Sequence, residues 1–277
     1  MNVQKGVLAR FLVPLLTALV ASAAADSLDY SRQTVVVVTV DSGTRNLHST
    51  DVLKERMLQT LRAASYDRDW TVGSYLSSHS LVQRRLERLN LPSERLGTKY
   101  LSDGTVSTAF EFLLTGSILG LMLPVRSTPH LLGRTACPCC SQPWPAGREP
   151  APGVELVPYE TPGTPEYTGI LVDATGLDAR PALFPQIVTE SGDDVFSTDF
   201  ADPDQVTAHG LVGHYRDRTQ ALTADRVGTN PLVVRTLLVT GTNLCDLVVS
   251  QSDAARIHAS RSNLDLLRHC RVGFLVD

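Results

Sequence analysis

Ten of the chain's 16 prolines fall between Pro124 and Pro165. Proline locks φ and removes a backbone donor, so neither a regular helix nor a central strand can run through that stretch. Residues 125–165 are therefore expected to be a linker or an extended surface loop, with a folded unit on each side, 26–124 and 166–277. The chain has 277 residues, 43% of them hydrophobic, which is enough for one large core or two modest ones.

Within the first unit, "QTVVVVTV" (Gln33–Val40) is a β-branched run of the kind found in strands buried on both faces. The period then changes. Leu53, Met57, Leu61 and Ala64 form a helical stripe, with Ser49, Thr50 or Asp51 able to cap its start. A second helix is predicted in "SYLSSHSLVQRRLERLN", where Val82, Leu86 and Leu89 align and Arg84, Arg85 and Arg88 face water. Two alternating runs then flank Ser102-Asp103-Gly104, and Asp-Gly between such runs predicts a hairpin. The second unit opens on the strand "YTGILVDATG". It continues through "FPQIVTESGDDVF", "PLVVRTLLVTGTN" and "DLVVS", and closes with a helix capped by Ser250 and Asp253 before "RVGFLV". The fold class read from this order is α+β: a β-α-α-β-β unit, then a second β-rich unit ending in a βαβ crossover with parallel neighbours.

The amino terminus has a different character. Lys5 and Arg10 precede an apolar run, Phe11–Val20, and small residues follow, with Ala21-Ser22-Ala23 or Ala23-Ala24-Ala25 as cleavage site. This is the pattern of an export signal over residues 1–25, and the run is shorter than the roughly 20 residues a membrane span needs. No cysteine follows the small residues, so nothing invites lipid attachment. Removing Lys5 and Arg10 leaves 23 basic residues (25 − 2) against 29 acidic ones, a net charge of −6. No basic face emerges for nucleic acid, and no second run is long enough to cross a membrane. A periplasmic location is expected, either free or peripheral to the outer membrane.

Cys137, Cys139 and Cys140, read as a C-x-C-C run, stand apart from a thiol-redox pair and lack a second ligand pair at zinc-finger distance, His130 being the only close histidine. A local or intermolecular disulfide is the expectation there. Cys245 and Cys270 each precede a predicted strand. If those strands are parallel neighbours, the two cysteines sit at one level, and a structural disulfide between them is predicted, worth about 3 kcal/mol. His209 and His214 are five apart, which misses the i, i+4 pairing of a helical zinc site. Asp193-Asp194 after Gly192 has the composition of a turn rather than of a calcium loop. Neither a G-x-S-x-G elbow, an H-E-x-x-H pair nor a phosphate-binding G-x-x-x-x-G-K-[ST] loop occurs. Asp173, at a strand tip, could be a general base, but "DATGLDARP" reads more readily as a turn whose aspartate accepts local backbone N–H groups. No catalytic residue, metal ligand or cofactor is expected.

Three stretches together resemble exported bacterial proteins related to FlgP, the flagella-associated outer-membrane lipoprotein, and similar small envelope lipoproteins. They are "KYLSDGTVSTAFEFLLTG" (Lys99–Gly116), "YTGILVDATGLDARPALFPQIVTESGDDVF" (Tyr167–Phe196), and the run from "RVGTNPLVVRTLLVTG" through "DLVVSQSDAARI" to "CRVGFLVD". The resemblance implies an α+β domain of envelope proteins without known catalytic activity, some of which assemble into rings around the flagellar base. This chain departs from it in lacking a lipobox cysteine and in carrying the Pro/Cys-rich excursion. The expected function is that of a non-enzymatic structural or assembly protein of the envelope, with envelope or flagellar basal-body proteins or its own copies as partners. The alternatives are a periplasmic small-ligand or metal-binding module using His209, His214 or the cysteines, and a hydrolase built on Asp173.

Overall fold

The computed structural model describes residues 25–41, 49–160, 163 and 165–277, so the expected export signal lies outside the described residues but for Ala25. The first unit runs β1 (Ser27–Asp29), β2 (Thr34–Asp41), α1 (Thr50–Arg62), α2 (Val72–Ser78), α3 (Ser80–Arg88), β3 (Glu94–Tyr100), β4 (Val106–Leu113) and α4 (Ser117–Met122). Its strands form an antiparallel sheet in the order β1-β2-β4-β3. Val35 lies opposite Phe112 and Val37 opposite Phe110. Those four side chains therefore share one face, and they join the core with Leu53, Met57 and Leu61 of α1. Each such burial contributes about 1.5–3 kcal/mol.

The helix predicted over residues 74–90 is two helices. His79 leaves helical geometry at φ −119°, ψ 67° and separates α2 from α3. The Ser-Ser-His-Ser run around it is made of residues whose side chains compete for backbone hydrogen bonds, and the His79 ring stacks on Tyr75 with centroids 4.2 Å apart. A reciprocal cap starts α2, with Ser74 N–H donating to Thr71 Oγ1 and Thr71 N–H to Ser74 Oγ. The expected hairpin is present: Asp103 accepts the Thr105 N–H at 2.9 Å and its hydroxyl at 2.7 Å.

Between the units, β5 (Thr135–Ala136) pairs with β6 (Val157–Pro158). The other described residues of the proline-rich stretch are irregular but tied down. Arg126 donates to the carbonyls of Thr198 and Asp199, and the Arg134 guanidinium lies 4.7 Å from the centre of the Tyr159 ring. Buried His258 bolts it to the second unit, with Leu132 N–H donating to Nδ1 while the Val195 carbonyl lies 2.8 Å from Nε2.

The second unit comprises β7 (Ile170–Asp173), β8 (Ile187–Thr189), β9 (Asp194–Phe196), α5 (Pro203–His209), β10 (Gly213–Tyr215), α6 (Arg218–Thr223), β11 (Leu232–Arg235), β12 (Leu238–Thr240), β13 (Asp246–Val249), α7 (Gln251–Ile257), α8 (Arg261–Arg268) and β14 (Val272–Leu275). One sheet is all parallel, in the order β10-β14-β7-β11, and a second is mixed, β12-β13-β8-β9. The central strands of the parallel sheet, β7 and β14, are buried on both faces, as is usual for such sheets. Ile170, Val172, Val272 and Phe274 face the main core, while Leu171 and Leu275 pack with Ala221 and Val227 on the other side. The class is α+β. A single apolar cluster runs from Val35 to Val276, so the two units share one core.

Strand, helix and strand close the chain in the expected order, but β13 and β14 are not neighbours. β13 lies between β12 and β8, whereas β14 lies between β10 and β7 in the other sheet. The α7–α8 connection carries the chain from one sheet to the other. Cys245 and Cys270, which precede those strands, are accordingly free and buried, and the predicted disulfide is not formed. Burial, with the neighbouring Asp246 carboxylate, raises the Cys245 thiol; burial pushes the Cys270 thiol up to about 12. Peptide mapping without reduction is expected to return both as free thiols that alkylate only after denaturation. A linked peptide would contradict this sheet assignment.

Candidate interaction surface

Asp173 ends β7 and is not a free carboxylate. Its Oδ1 accepts the Thr175 N–H at 3.1 Å, the Thr175 hydroxyl at 2.7 Å and Arg235 Nη1 at 2.9 Å, and its Oδ2 meets Arg218 Nη1 at 3.2 Å. Partial burial pushes its pKa upward, but the Thr175 hydrogen bonds and the two guanidiniums outweigh it and hold the carboxyl below the ordinary range. A general base works best with a pKa near the working pH, so this group is a poor proton acceptor at neutrality. Its geometry closes a turn, as its sequence suggests, and also ties the end of β7 to α6 and to the edge strand β11, which no local pattern foretells.

The two histidines do not meet around a ligand. His209 ends α5, and its carbonyl accepts from Arg226. His214 sits inside β10, buried between Tyr30 and Phe274, with neither ring nitrogen hydrogen-bonded. Burial, and then the Arg226 charge, push its pKa down to about 3. Among the described residues, no group of three or more His, Cys, Asp or Glu has the geometry to hold a metal ion. Ser250 caps α7 by accepting the Asp253 N–H at 3.1 Å. Asp193 accepts from the hydroxyls of Ser191 and Thr189, with Gly192 at φ 88° completing the turn.

Two acids are placed differently from what the sequence suggests: Asp194, read there as part of a turn, begins β9, and Asp246, not singled out, begins β13. Asp194 and Asp246 are both pushed up to about 6, in each case first by burial. Asp194 keeps the Ser197 hydroxyl at 2.6 Å, and Asp246 accepts the Gln186 N–H at 2.9 Å. Nothing local marks them, because it is β8 and its neighbours that remove them from water. The cleft beside them, lined by Asp67, Phe184, Gln186, Ser197 and Asp199, holds only about 130 Å³, below the range of small-molecule sites. A larger open groove of about 380 Å³ runs between α1 and α3, but it is lined mainly by charged groups such as Asp51, Lys54, Glu55, Arg62 and Glu87. Arg62 and Glu87 pair with each other at 3.3 Å, and Lys54 donates to the carbonyls of Glu87 and Leu89 at the end of α3.

The first sheet presents a different kind of feature. All seven residues of β3 are exposed, and among the described residues the strand pairs with β4 alone. Glu94, Arg95, Gly97, Thr98 and Lys99 give it no apolar alternation, which is the sequence sign of a strand wet on both faces. Leu96 and Tyr100 stand out from it, 46% and 84% exposed. On the sheet face opposite the core, Val40 and Leu113 are 40% and 61% exposed. Leu113 lies opposite Thr34 and Val40 opposite Ser107, so both belong to the face that α1 does not cover. An exposed edge with apolar side chains beside it can accept a strand from another chain through backbone hydrogen bonds. A register shift between Arg95 and Gly97, together with Lys99, restricts which strands fit.

No helix among the described residues is long and apolar enough to cross a membrane. No curated protein matches the chain in sequence. The parallel sheet and the mixed sheet together form the part of the chain with a recognised relative: residues 169–277 match the bacterial, spirochaete family described as Treponema pallidum Tp0624, second domain.

Proposed function

We propose that this protein is a non-enzymatic structural or assembly component of the bacterial cell envelope, exported to the periplasm and peripheral to the outer membrane. It associates with its own copies or with other envelope proteins through the β3 edge. The observation that carries this reading is the seven-residue strand exposed along its whole length at the edge of the first sheet. The Asp173 turn, the Ser250 cap and the His258 bolt support it, since each engages a polar side chain in holding the fold. The narrower flagellar role rests on the resemblance of the three stretches above to proteins related to FlgP.

The test pairs cell fractionation with light scattering on purified protein. The wild type is expected to co-fractionate with envelope and to run as a dimer or larger. Leu96→Lys with Tyr100→Lys is expected to give a folded monomer, because both side chains are exposed and their replacement costs within about 0.5 kcal/mol of stability. A wild type that is monomeric and never found with envelope, or a double variant with unchanged assembly, overturns the reading.

A further inference from the structure

The C-x-C-C run contains the C-x-x-C spacing after all: Cys137 and Cys140 are three apart, with Pro138 and Cys139 between them. They sit in a closed turn next to β5. Cys137 N–H donates to Gln142 O and Ser141 N–H to Cys137 O, both at 2.9 Å, and Trp144 N–H donates to Thr135 O at 2.7 Å. Ala136 bridges Pro143 in antiparallel fashion, and Ser141 reverses the chain at φ 57°. Those backbone hydrogen bonds close a turn that gathers Cys137, Cys139 and Cys140 within four consecutive residues. Cys139 and Cys140 are exposed and Cys137 is partly so, in contrast to the buried Cys245 and Cys270.

We propose that Cys137 and Cys140 form a thiol–disulfide exchange centre that acts on an accessible disulfide, with Cys137 as the attacking sulfur and Cys140 as the resolving one. A C-x-x-C pair in an accessible turn favours a thiolate, which is the nucleophile in this chemistry. Hydrogen bonding from Cys140, its backbone N–H first, holds the Cys137 thiol below its ordinary range. The Cys137 thiolate attacks one sulfur of a disulfide R–S–S–R′. A Cys137–S–S–R bond forms, the S–S bond of the substrate breaks, and R′–S⁻ leaves and takes up the proton that Cys137 gave up. Cys140, deprotonated in turn, attacks the Cys137 sulfur, and R–S⁻ leaves with the second proton. The substrate disulfide is reduced to two thiols, and the turn is oxidised to a Cys137–Cys140 disulfide, a balanced two-electron exchange. Cys139 is not needed as a sulfur.

The test uses the full-length reduced protein with two disulfide probes, oxidised glutathione and insulin. Alkylation by iodoacetamide at pH 6 is expected to label Cys137 at least about tenfold faster than Cys140. Exchange is expected with glutathione disulfide, with insulin, or with both; insulin reactivity assigns polypeptide substrates, and glutathione alone assigns small disulfides. Cys137→Ser is expected to abolish exchange, Cys139→Ser to retain it, and Cys140→Ser to trap one glutathione on Cys137. No exchange with either probe overturns the proposal, as does loss of exchange in Cys139→Ser, equal labelling of Cys137 and Cys140, or purification with stoichiometric zinc bound by the thiols. Assembly through β3 is read separately by light scattering on the Cys137→Ser protein, so either conclusion can fail alone.

Discussion

Gly169→Ala is expected to destabilise the protein by about 3 kcal/mol or more, the size reserved for forced overpacking of a close backbone contact. A Cβ at 169 would lie 2.4 Å from the Val227 carbonyl oxygen and 2.7 Å from the Val227 Cα. Neither side can yield. Gly169 O accepts the Leu232 N–H at 2.9 Å, and the next residue, Ile170, donates to Arg271 O at 2.9 Å, so the strand is clamped by β11 and by the segment leading into β14. Val227 is fully buried, its N–H held by Ala224 O at 3.0 Å and its carbonyl by the Thr168 hydroxyl at 3.0 Å. Gly97→Ala is the matched control: nothing lies within 4 Å of its Cβ and its φ is not in the left-handed region. Removing that glycine's freedom from the unfolded chain is expected to leave stability unchanged or raise it by about 0.5 kcal/mol. Urea titration of the two variants should show Gly169→Ala far the weaker; equal midpoints would refute the close approach.

His214→Leu is expected to remove much of the protein's sensitivity to acid. The imidazole titrates at about 3 in the folded state against 6.5 unfolded. The unfolded chain therefore binds the extra proton between those values, and stability falls as pH drops from 6.5 toward 3. At about 1.4 kcal/mol per pH unit, some 2 kcal/mol is lost by pH 5. Above 6.5 the ring is neutral in both states and adds no pH dependence. Around it lie Tyr30 from the turn after β1, Phe274 from β14 and the Arg226 guanidinium, which repels an imidazolium. Tyr30, whose own pKa burial raises to about 12, stays neutral throughout. His258, also depressed first by burial, acts with the same sign. Asp194 and Asp246 act oppositely: raised from 3.8 to about 6, they keep a proton in the fold that the unfolded chain has lost. Their contribution is present at low pH and disappears as pH rises from 3.8 through 6. Subtracting the variant's stability–pH curve from that of the wild type isolates His214, because the two acids cancel in the difference. A flat difference between pH 7 and pH 4 would contradict the burial of an unpartnered ring.

What the sequence determined by itself is whatever depends on neighbours along the chain. The β-branched run at Gln33–Val40 became β2, the Leu53-Met57-Leu61 stripe became the buried face of α1, and Asp103-Gly104 became the hairpin between β3 and β4. Ser250 caps α7 and Asp173 accepts the Thr175 N–H for the same reason: a short polar side chain finds its partner two or three residues away. Tertiary structure decided everything that depends on which strands lie side by side. Local pattern could not reveal that β13 and β14 enter different sheets, and that separation leaves Cys245 and Cys270 apart. Nor could it show that Tyr30 and Phe274 close over His214, that burial raises Asp194 and Asp246, or that backbone hydrogen bonds close the cysteine turn after β5. Periodicity reports which face of an element is apolar, and only long-range packing chooses the surface that covers it.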